Sequence, residues 1–226
     1  MTDAHRPANE LVDPPIPTVP QLLKITASAS PDTSTSTSLA NTFVDRLLAE
    51  QPRLHVVERN LADGVPHINR DWVNANSTPV EKRSCHHREV LTLSNRLVDE
   101  LLASDYLVFG VPIYNFSVPS VLKAWIDHVC RSRLTFRYGA NGPEGLLIGK
   151  KAMIIFSSGG TKIGGDLDFA SAYLRHVLGF IGITDVEFAA ADRLVADREA
   201  SLRRAHKRMD QVATEWAASL VASARV

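Results

Sequence analysis

Three stretches of the chain carry residue types that could bind a ligand. Residues 27–38 read ASASPDTSTSTS, and their hydroxyl groups, together with backbone N–H groups, can donate hydrogen bonds to a phosphate. Residues 113–116 add aromatic rings and an amide, and residues 157–161 contain paired glycines that let a flat ligand approach the backbone. Together these residue types indicate a ligand with a phosphate group and a flat ring.

Each stretch also has a purely structural interpretation. Serine and threonine are common at helix N-caps and in polar linkers, and glycine is common wherever a loop needs a positive φ. Residues 27–38 contain neither GxGxxG nor GxxxxGK[ST], so the chain has no dinucleotide fingerprint and no P-loop there. Taken singly, none of the three stretches decides between binding and structure.

The second stretch connects a predicted strand to a predicted helix. Residues 106–111 form a short apolar run rich in aromatic and β-branched side chains, which predicts a strand buried on both faces. Pro112 and Pro119 restrict the backbone between them and exclude ordinary helix there. From Ser120 onward, apolar residues recur at helical spacing and predict an amphipathic helix. These residues are Val121, Leu122, Trp125, Ile126 and Val129.

Strands and helices alternate along the rest of the chain. Apolar runs predict strands at residues 21–26, 54–59, 151–156 and 185–190. Helical periodicity predicts helices at residues 42–48, 88–103, 169–178 and 198–222. In the first helix the predicted buried residues are Leu39, Phe43, Val44, Leu47 and Leu48. This alternation predicts an α/β fold with a flavodoxin-like, doubly wound parallel sheet of five strands in the order 2-1-3-4-5.

In that strand order the three ligand-binding candidates converge. They follow the first, third and fourth strands, which are neighbours at the point where the chain direction across the sheet reverses. Flavodoxin-like proteins bind FMN at this switch point. We therefore expect the hydroxyl-rich residues 27–38 to hold the phosphate of FMN and the other two loops to frame its ring.

Composition limits the classes of function. The 226 residues include 25 basic and 25 acidic side chains, so no net charge attracts the protein to nucleic acid or to a membrane surface. Two cysteines outside any ligand spacing favour a reducing compartment, the cytoplasm. The sequence lacks a run long enough to span a membrane. We expect residues 1–20, rich in proline, to be a disordered tail and residues 21–226 to form one domain.

Residues 61–87 are polar and interrupted by Gly64, Pro66 and Pro79, which predicts a surface insertion. Cys85, His86 and His87 within it are adjacent, and adjacent side chains seldom converge on one ion, so no metal site is predicted. In the helix that follows, the predicted inward residues are Val90, Leu91, Leu97, Val98, Leu101 and Leu102.

Residues 131–151 are rich in turn signals and predict a hairpin or an extended flap. Its Arg131, Arg133 and Arg137 are consistent with a solvated surface or with contact to a nucleotide.

Four sequence blocks resemble the FMN-dependent NADH azoreductases, a family within the flavodoxin-like NAD(P)H quinone reductase group. The blocks are PIYNF at 112–116, LTFRY at 134–138, NGPEGL at 141–146 and LGFIGITDV at 178–186. The resemblance covers roughly residues 21–220 and implies a flavodoxin-like homodimer with FMN near the subunit interface. It also implies two-electron reduction of quinones and aromatic azo compounds, with NADH or NADPH as the electron donor.

The resemblance also implies which residues bind FMN. The phosphate-binding serines of the family match Ser28 and the run Ser34, Thr35 and Ser36. Its flavin-binding Tyr-Asn-Phe loop matches Tyr114, Asn115 and Phe116, preceded by Ile113 where methionine is common. Its Ser-Arg-Gly-Gly loop matches Ser157, Ser158, Gly159 and Gly160, so a serine replaces the family's arginine. Residues 61–87 match the family poorly, so the resemblance does not imply which substrate this protein prefers.

The expected mechanism is ping-pong, with hydride passing from the nicotinamide to the flavin and then to the acceptor. Because the cofactor carries the chemistry, we assign no catalytic acid or base. Phe116, Tyr138 and Phe180 are candidates for the acceptor pocket, with core packing as the alternative for each.

Two other functions compete with this one. The first is a flavodoxin-type electron carrier that docks a protein partner, although such carriers usually have a strongly acidic face and this chain is balanced in charge. The second is a serine hydrolase that contains no FMN. Neither Ser157 nor Ser158 lies in a GxSxG context, which counts against it.

Overall fold

The computed structural model describes residues 19–223, with side chains described to residue 220. Its strands are β1 (Gln21–Thr26), β2 (His55–Asn60), β3 (Tyr106–Pro112), β4 (Phe136–Gly139), β5 (Gly142–Gly145), β6 (Lys151–Ser157) and β7 (Asp185–Ala191). Its helices are α1 (Thr35–Glu50), α2 (Arg70–Ser77), α3 (Cys85–Val90), α4 (Thr92–Ala103), α5 (Ser120–Val129), α6 (Ser171–Phe180) and α7 (Arg198–Ser223). The predicted tail, residues 1–20, lies outside the described residues apart from Val19 and Pro20.

Five parallel strands form the main sheet in the order β2-β1-β3-β6-β7. The predicted order 2-1-3-4-5 agrees with this in topology, and the numbers differ because β4 and β5 intervene in the chain. Those two strands pair with each other in a separate antiparallel hairpin. The flavodoxin-like arrangement is confirmed, and the turn-rich region after α5 is the hairpin that the sequence indicates.

Helices cover both faces of the main sheet. On one face, α4, α5 and α6 pack through residues such as Leu101, Trp125 and Leu174. On the other, α1 and α7 pack through residues such as Phe43 and Trp216. Successive strand residues alternate between the two cores, as expected where side chains alternate across a strand. Burial on both faces explains why the central strands read as continuous apolar runs.

Helix α1 begins at Thr35, inside the hydroxyl-rich stretch at residues 27–38 that the sequence predicted to be a loop. The Ser34 hydroxyl caps it by accepting a hydrogen bond from the Thr37 N–H at 3.2 Å. The loop after β1 is therefore shorter than the hydroxyl-rich stretch, and its last four residues form the first turn of the helix. Serine and threonine have low intrinsic helix propensity, so the sequence underestimates this helix, which the cap and the packing of its apolar face stabilise.

The prediction of one continuous helix at residues 88–103 is wrong. It is divided at Leu91 into α3 and α4, because Leu91 packs with Trp72 and Ala75 in a small third core. Residues 61–87 are accordingly not only surface, since they include α2 and part of this core. Leu102, predicted to face inward, is exposed on α4.

Among the described residues, no helix combines the length and the apolar character that a membrane span requires.

Candidate functional site

The loops after β1, β3 and β6 meet at the carboxyl edge of the sheet. The hydroxyl of Tyr114 lies 3.4 Å from the hydroxyl of Ser28 and accepts a hydrogen bond from the Ala29 N–H at 3.2 Å. The Ile113 N–H donates to the carbonyl of Ser157 at 2.8 Å. These bonds join the three loops that the sequence predicted would converge.

The first loop leads into the N-terminus of α1. Residues 31–33 form a short 3-10 turn, after which Ser34 caps the helix and its hydroxyl lies 3.1 Å from that of Ser36. Ser28 and Ser36 are buried, whereas Ser34 and Thr35 are partly exposed. The first N–H groups of a 16-residue helix and its dipole favour an anion, so the geometry suits a phosphate at Ser34 and Thr35.

Gly110 lets α1 approach β3 closely. A Cβ at this position would lie 3.0 Å from the carbonyl oxygen of Ser36 and 3.3 Å from the Cβ of Ala40. Larger residues would push the helix N-terminus away from the strand. The single glycine in the apolar run of β3 thus helps to set where the candidate phosphate site lies.

The second loop is a tight turn with an unusual backbone. The N–H groups of Tyr114 and Ser117 each donate to the other residue's carbonyl at 3.1 Å, and Asn115 and Phe116 between them have φ of 47° and 70°. Asparagine tolerates this left-handed conformation, but phenylalanine adopts it at a cost of about 1–3 kcal/mol. Such strain is concentrated at ligand sites, and here it leaves the Phe116 ring about half exposed beside the other loops.

The third loop combines buried serines with open glycines. Ser157 and Ser158 are buried, and the Ser158 hydroxyl accepts a hydrogen bond from the Thr161 N–H at 2.8 Å, inside the loop. Gly159 and Gly160 both lack a positive φ, so the loop does not need glycine for its backbone conformation. A Cβ would meet only the Val195 Cγ2, at 3.6 Å, from Gly159 and nothing within 4 Å from Gly160. The glycines keep the loop backbone accessible, which fits a flat ring.

An apolar rim around these loops was not identified from the sequence. Leu167, Phe169 and Val195 are 58%, 62% and 88% exposed, and the Phe169 N–H donates to the carbonyl of Phe116 at 3.0 Å. The Val195 N–H likewise donates to the carbonyl of Gly159 at 3.1 Å. Exposed apolar side chains beside a polar cleft are typical of ligand sites. Phe169 was instead predicted to begin a helix, and only its position in the polar run GGDLDF could have indicated a loop.

Asp168 fixes the end of the third loop to α6. Its carboxylate accepts hydrogen bonds from the N–H groups of Gly164, Ala170 and Ser171 and from the Ser171 hydroxyl. Burial alone would raise the pKa of this carboxyl group, but the four hydrogen bonds outweigh burial and hold the pKa below its ordinary value. The carboxylate is therefore a structural anchor beside the site.

Tyr138 and Phe180 lie apart from the other candidates. Phe180 is the last residue of α6, nine residues and about 13 Å along the axis from Ser171. It packs on Phe136, with ring centroids 4.6 Å apart, and Phe136 contacts the 75% exposed Tyr138. The hairpin that carries Tyr138 is anchored where α6 leads into β7, at the amino edge of the sheet.

Cys130, at the end of α5, is not an activated nucleophile. Burial raises the pKa of the Cys130 thiol to about 11, with a smaller contribution from Asp127. Its thiolate is therefore scarce at neutral pH. Cys130 and the exposed Cys85 are both free, and no group of three or more metal-ligating side chains occurs within residues 19–220.

Along most of its length, the chain is similar to a flavodoxin-like family model and to FMN-dependent NADH:quinone oxidoreductases. A family model described as flavodoxin-like fold matches residues 20–213. An FMN-dependent NADH:quinone oxidoreductase from Colwellia psychrerythraea is 48% identical over 191 residues, which are 84% of this chain and 99% of that protein. Another, from Thiobacillus denitrificans, is 46% identical over 204 residues, 90% of this chain and 100% of the relative.

A solved structure extends the similarity to three dimensions. An FMN-dependent NADH-azoreductase from Bacillus anthracis, crystallised with FMN, superposes with a TM-score of 0.79 over 87% of this chain and 99% of the other. Its sequence identity is 24%, so this likeness concerns the fold.

Proposed function

The chain belongs to the flavodoxin-like fold family, among relatives that are FMN-dependent NADH:quinone oxidoreductases, and from this premise we propose that it has the same activity. The acceptors we propose are quinones and aromatic azo compounds. The observation that carries the proposal is the hydrogen-bonded convergence of three loops, one hydroxyl-rich, one aromatic and one glycine-paired, at the switch point of the sheet.

The residues at this edge fit FMN. The N-terminus of α1, with Ser34 and Thr35, provides N–H groups and hydroxyls suited to the phosphate. The open backbone at Gly159 and Gly160 suits a flat ring, and the exposed amide of Asn115 provides polarity at the ring's edge. Bound FMN would supply the two-electron chemistry, accepting hydride from a nicotinamide and delivering it to the acceptor.

The protein's own contribution is binding and orientation. The exposed rings of Phe116 and Phe169 suit stacking with flat aromatic substrates, and the exposed Val195 adds an apolar contact. Ser158 replaces the family's arginine and is hydrogen-bonded within its loop, so it provides no positive charge beside the ring. The protons that the acceptor gains can come from water, which agrees with the assignment of no catalytic acid or base.

We also propose a homodimer, in which Tyr138 and Phe180 complete the acceptor pocket of the partner subunit. The support is geometric, because both side chains lie away from the carboxyl edge of their own sheet. Tyr138 is 75% exposed on a hairpin, where a second subunit could bury it. A cytoplasmic location is consistent with two free cysteines.

The test is purification of the full chain with identification of its bound flavin, followed by steady-state NADH oxidation with a small quinone. We expect FMN and rapid turnover without any protein partner, with parallel double-reciprocal lines for the two substrates.

Replacing Asn115 with Ala should lower FMN content or turnover, and unchanged values would refute its role. Intersecting lines would contradict the ping-pong order, and dependence on an added protein would favour an electron carrier.

A further inference from the structure

A cavity of about 290 Å³ lies outside the candidate flavin site. It is bordered by the segment from Asn76 to Arg83 and by the loop from Arg131 to Leu134, and none of its lining residues belongs to the three loops at the carboxyl edge. Three arginines line it together with the hydroxyl-bearing residues Ser77, Thr78 and Ser132, and its lining contains no acidic residue. Such a lining favours an anion.

Arg131 is the unusual member of this lining because it is only 1% exposed. Its Nη1 donates to the hydroxyl of Ser94 at 2.6 Å and weakly to the Asn95 side-chain oxygen at 3.4 Å, and its guanidinium lies 5.6 Å from the centroid of the Trp72 ring. Within residues 19–220, it has no carboxylate partner and its buried Nε has no hydrogen bond. Buried arginines are normally paired with an anion, so this one lacks its usual counter-charge.

The neighbouring arginines add further positive charge around the cavity. Burial, together with the nearby charge of Arg83, lowers the pKa of Arg131 to about 10. Arg83 is partly buried, and its Nε donates to the carbonyl of Thr78. Arg133 occupies a left-handed conformation with φ of 69°, held by a 2.6 Å hydrogen bond from its N–H to the Phe136 carbonyl. The loop therefore keeps these positive charges together, and no acidic residue lines the cavity beside them.

We propose that this cavity is a binding site for a small oxyanion of the phosphate class, held by Arg83 and the neighbouring hydroxyl-bearing residues and attracted by the uncompensated charge of the buried Arg131. A phosphate oxygen accepts hydrogen bonds from guanidinium and hydroxyl donors, both of which line the cavity. The volume exceeds that of a few water molecules, so a phosphate and residual water fit within it. The phosphate could be free or part of a nucleotide.

The test measures phosphate binding to the full chain loaded with FMN, so that the candidate flavin phosphate site is already filled. Inorganic phosphate should raise the melting temperature in a saturable way, beyond chloride at equal ionic strength. Arg83→Gln should weaken the apparent phosphate affinity about tenfold, because one charge-assisted hydrogen bond is removed. Arg96→Gln, an exposed arginine of α4 outside the cavity, should leave the affinity unchanged.

Arg131→Gln is a second variant, which removes the buried positive charge, and it should also weaken binding. If that variant fails to fold, Arg83→Gln still decides the question. Tighter binding of ADP than of phosphate, weakened by Arg83→Gln, would identify a nucleotide phosphate as the ligand, whereas binding of phosphate alone would identify the free anion. Equal effects of phosphate and chloride, or unaltered affinity in Arg83→Gln, would overturn the proposal.

Discussion

At the scale of single residues, the candidate site is distinguished by positions whose identity the fold itself does not require. Gly159 and Gly160 have backbone conformations open to other residues, and a side chain would meet little or nothing there. Phe116, in contrast, holds a strained conformation that a glycine or asparagine would adopt more readily. Residues that the fold alone does not explain are best explained by a ligand.

Gly160→Ala is expected to separate stability from binding. The folded protein should be as stable as the wild type or up to about 1 kcal/mol more stable, because alanine restricts the unfolded chain and meets no neighbour. FMN affinity should fall, since the methyl group occupies the face that the ring would approach. Thermal unfolding of the FMN-free protein and flavin titration measure the two quantities. Unchanged FMN affinity would contradict the placement of the ring at this loop.

At the scale of elements, close packing and capping hold the site's surroundings in place. The hairpin of β4 and β5 meets the turn after α6 through two glycines, and a Cβ on Gly145 would lie 2.1 Å from the backbone nitrogen of Gly182. Gly182 itself has φ of 106°, which favours glycine. This contact fixes the position of the hairpin, and with it that of Tyr138.

Gly145→Ala should therefore destabilise the protein, by about 2–3 kcal/mol, because backbone rather than a flexible side chain must move. Gly179→Ala provides a matched control inside α6, where a Cβ meets nothing within 4 Å. That change should stabilise by up to about 1 kcal/mol through improved helix propensity. Urea unfolding of both variants measures the difference, and equal stability would mean that the hairpin is not held by this contact.

Asp168 gives the loop before α6 a dependence on pH. Its pKa in the folded protein lies below the value in the unfolded chain, so its stabilisation is complete above the unfolded pKa and is lost as pH falls through the folded pKa. Asp168→Asn should cost about 1 kcal/mol at pH 7, because the amide keeps only one of the two acceptor oxygens and loses the charge. The difference from wild type should shrink below about pH 4.

Unfolding free energies measured between pH 3 and pH 7 provide the test. Asp166→Asn is the control, because Asp166 is exposed on the same loop. A difference between Asp168→Asn and wild type that stays constant over this pH range would exclude the role of the carboxylate charge.

At the scale of the whole molecule, the predicted pocket residues are divided between two edges of the sheet. Asn115 and the paired glycines lie at the carboxyl edge, whereas Tyr138 and Phe180 lie with the hairpin near the amino edge. One subunit alone does not bring these groups together. The proposed homodimer would do so by placing the hairpin of one subunit over the flavin site of the other.

Mixed dimers are expected to show whether Tyr138 acts in the site of the partner subunit or in the site of its own subunit. Co-expression of Asn115→Ala and Tyr138→Ala chains with different tags yields heterodimers that can be purified. If Tyr138 acts across the interface, one of the two sites has both residues intact, and turnover should be about half that of the wild-type dimer. If Tyr138 acts within its own subunit, both sites are defective, and activity should remain at the level of the single-variant homodimers. A monomeric protein in solution would contradict the proposal directly.

The sequence by itself determined the order and type of the main elements. The central strands are apolar because both faces are covered, and the predicted strands agree with those of the main sheet within one residue or so at their ends. The convergence of the three loops also followed from the sequence, because parallel strands place their carboxyl ends at one edge.

Only the tertiary structure decided features that depend on contacts between residues distant in the chain. Leu91 divides a helix because Trp72 packs against it, and Arg131 is buried although its neighbours in sequence are polar. Phe169 joins the site through a backbone hydrogen bond to the distant Phe116. Local residue patterns carry no information on such contacts, because the free energy that fixes them comes from packing and hydrogen bonding with partners tens of residues away.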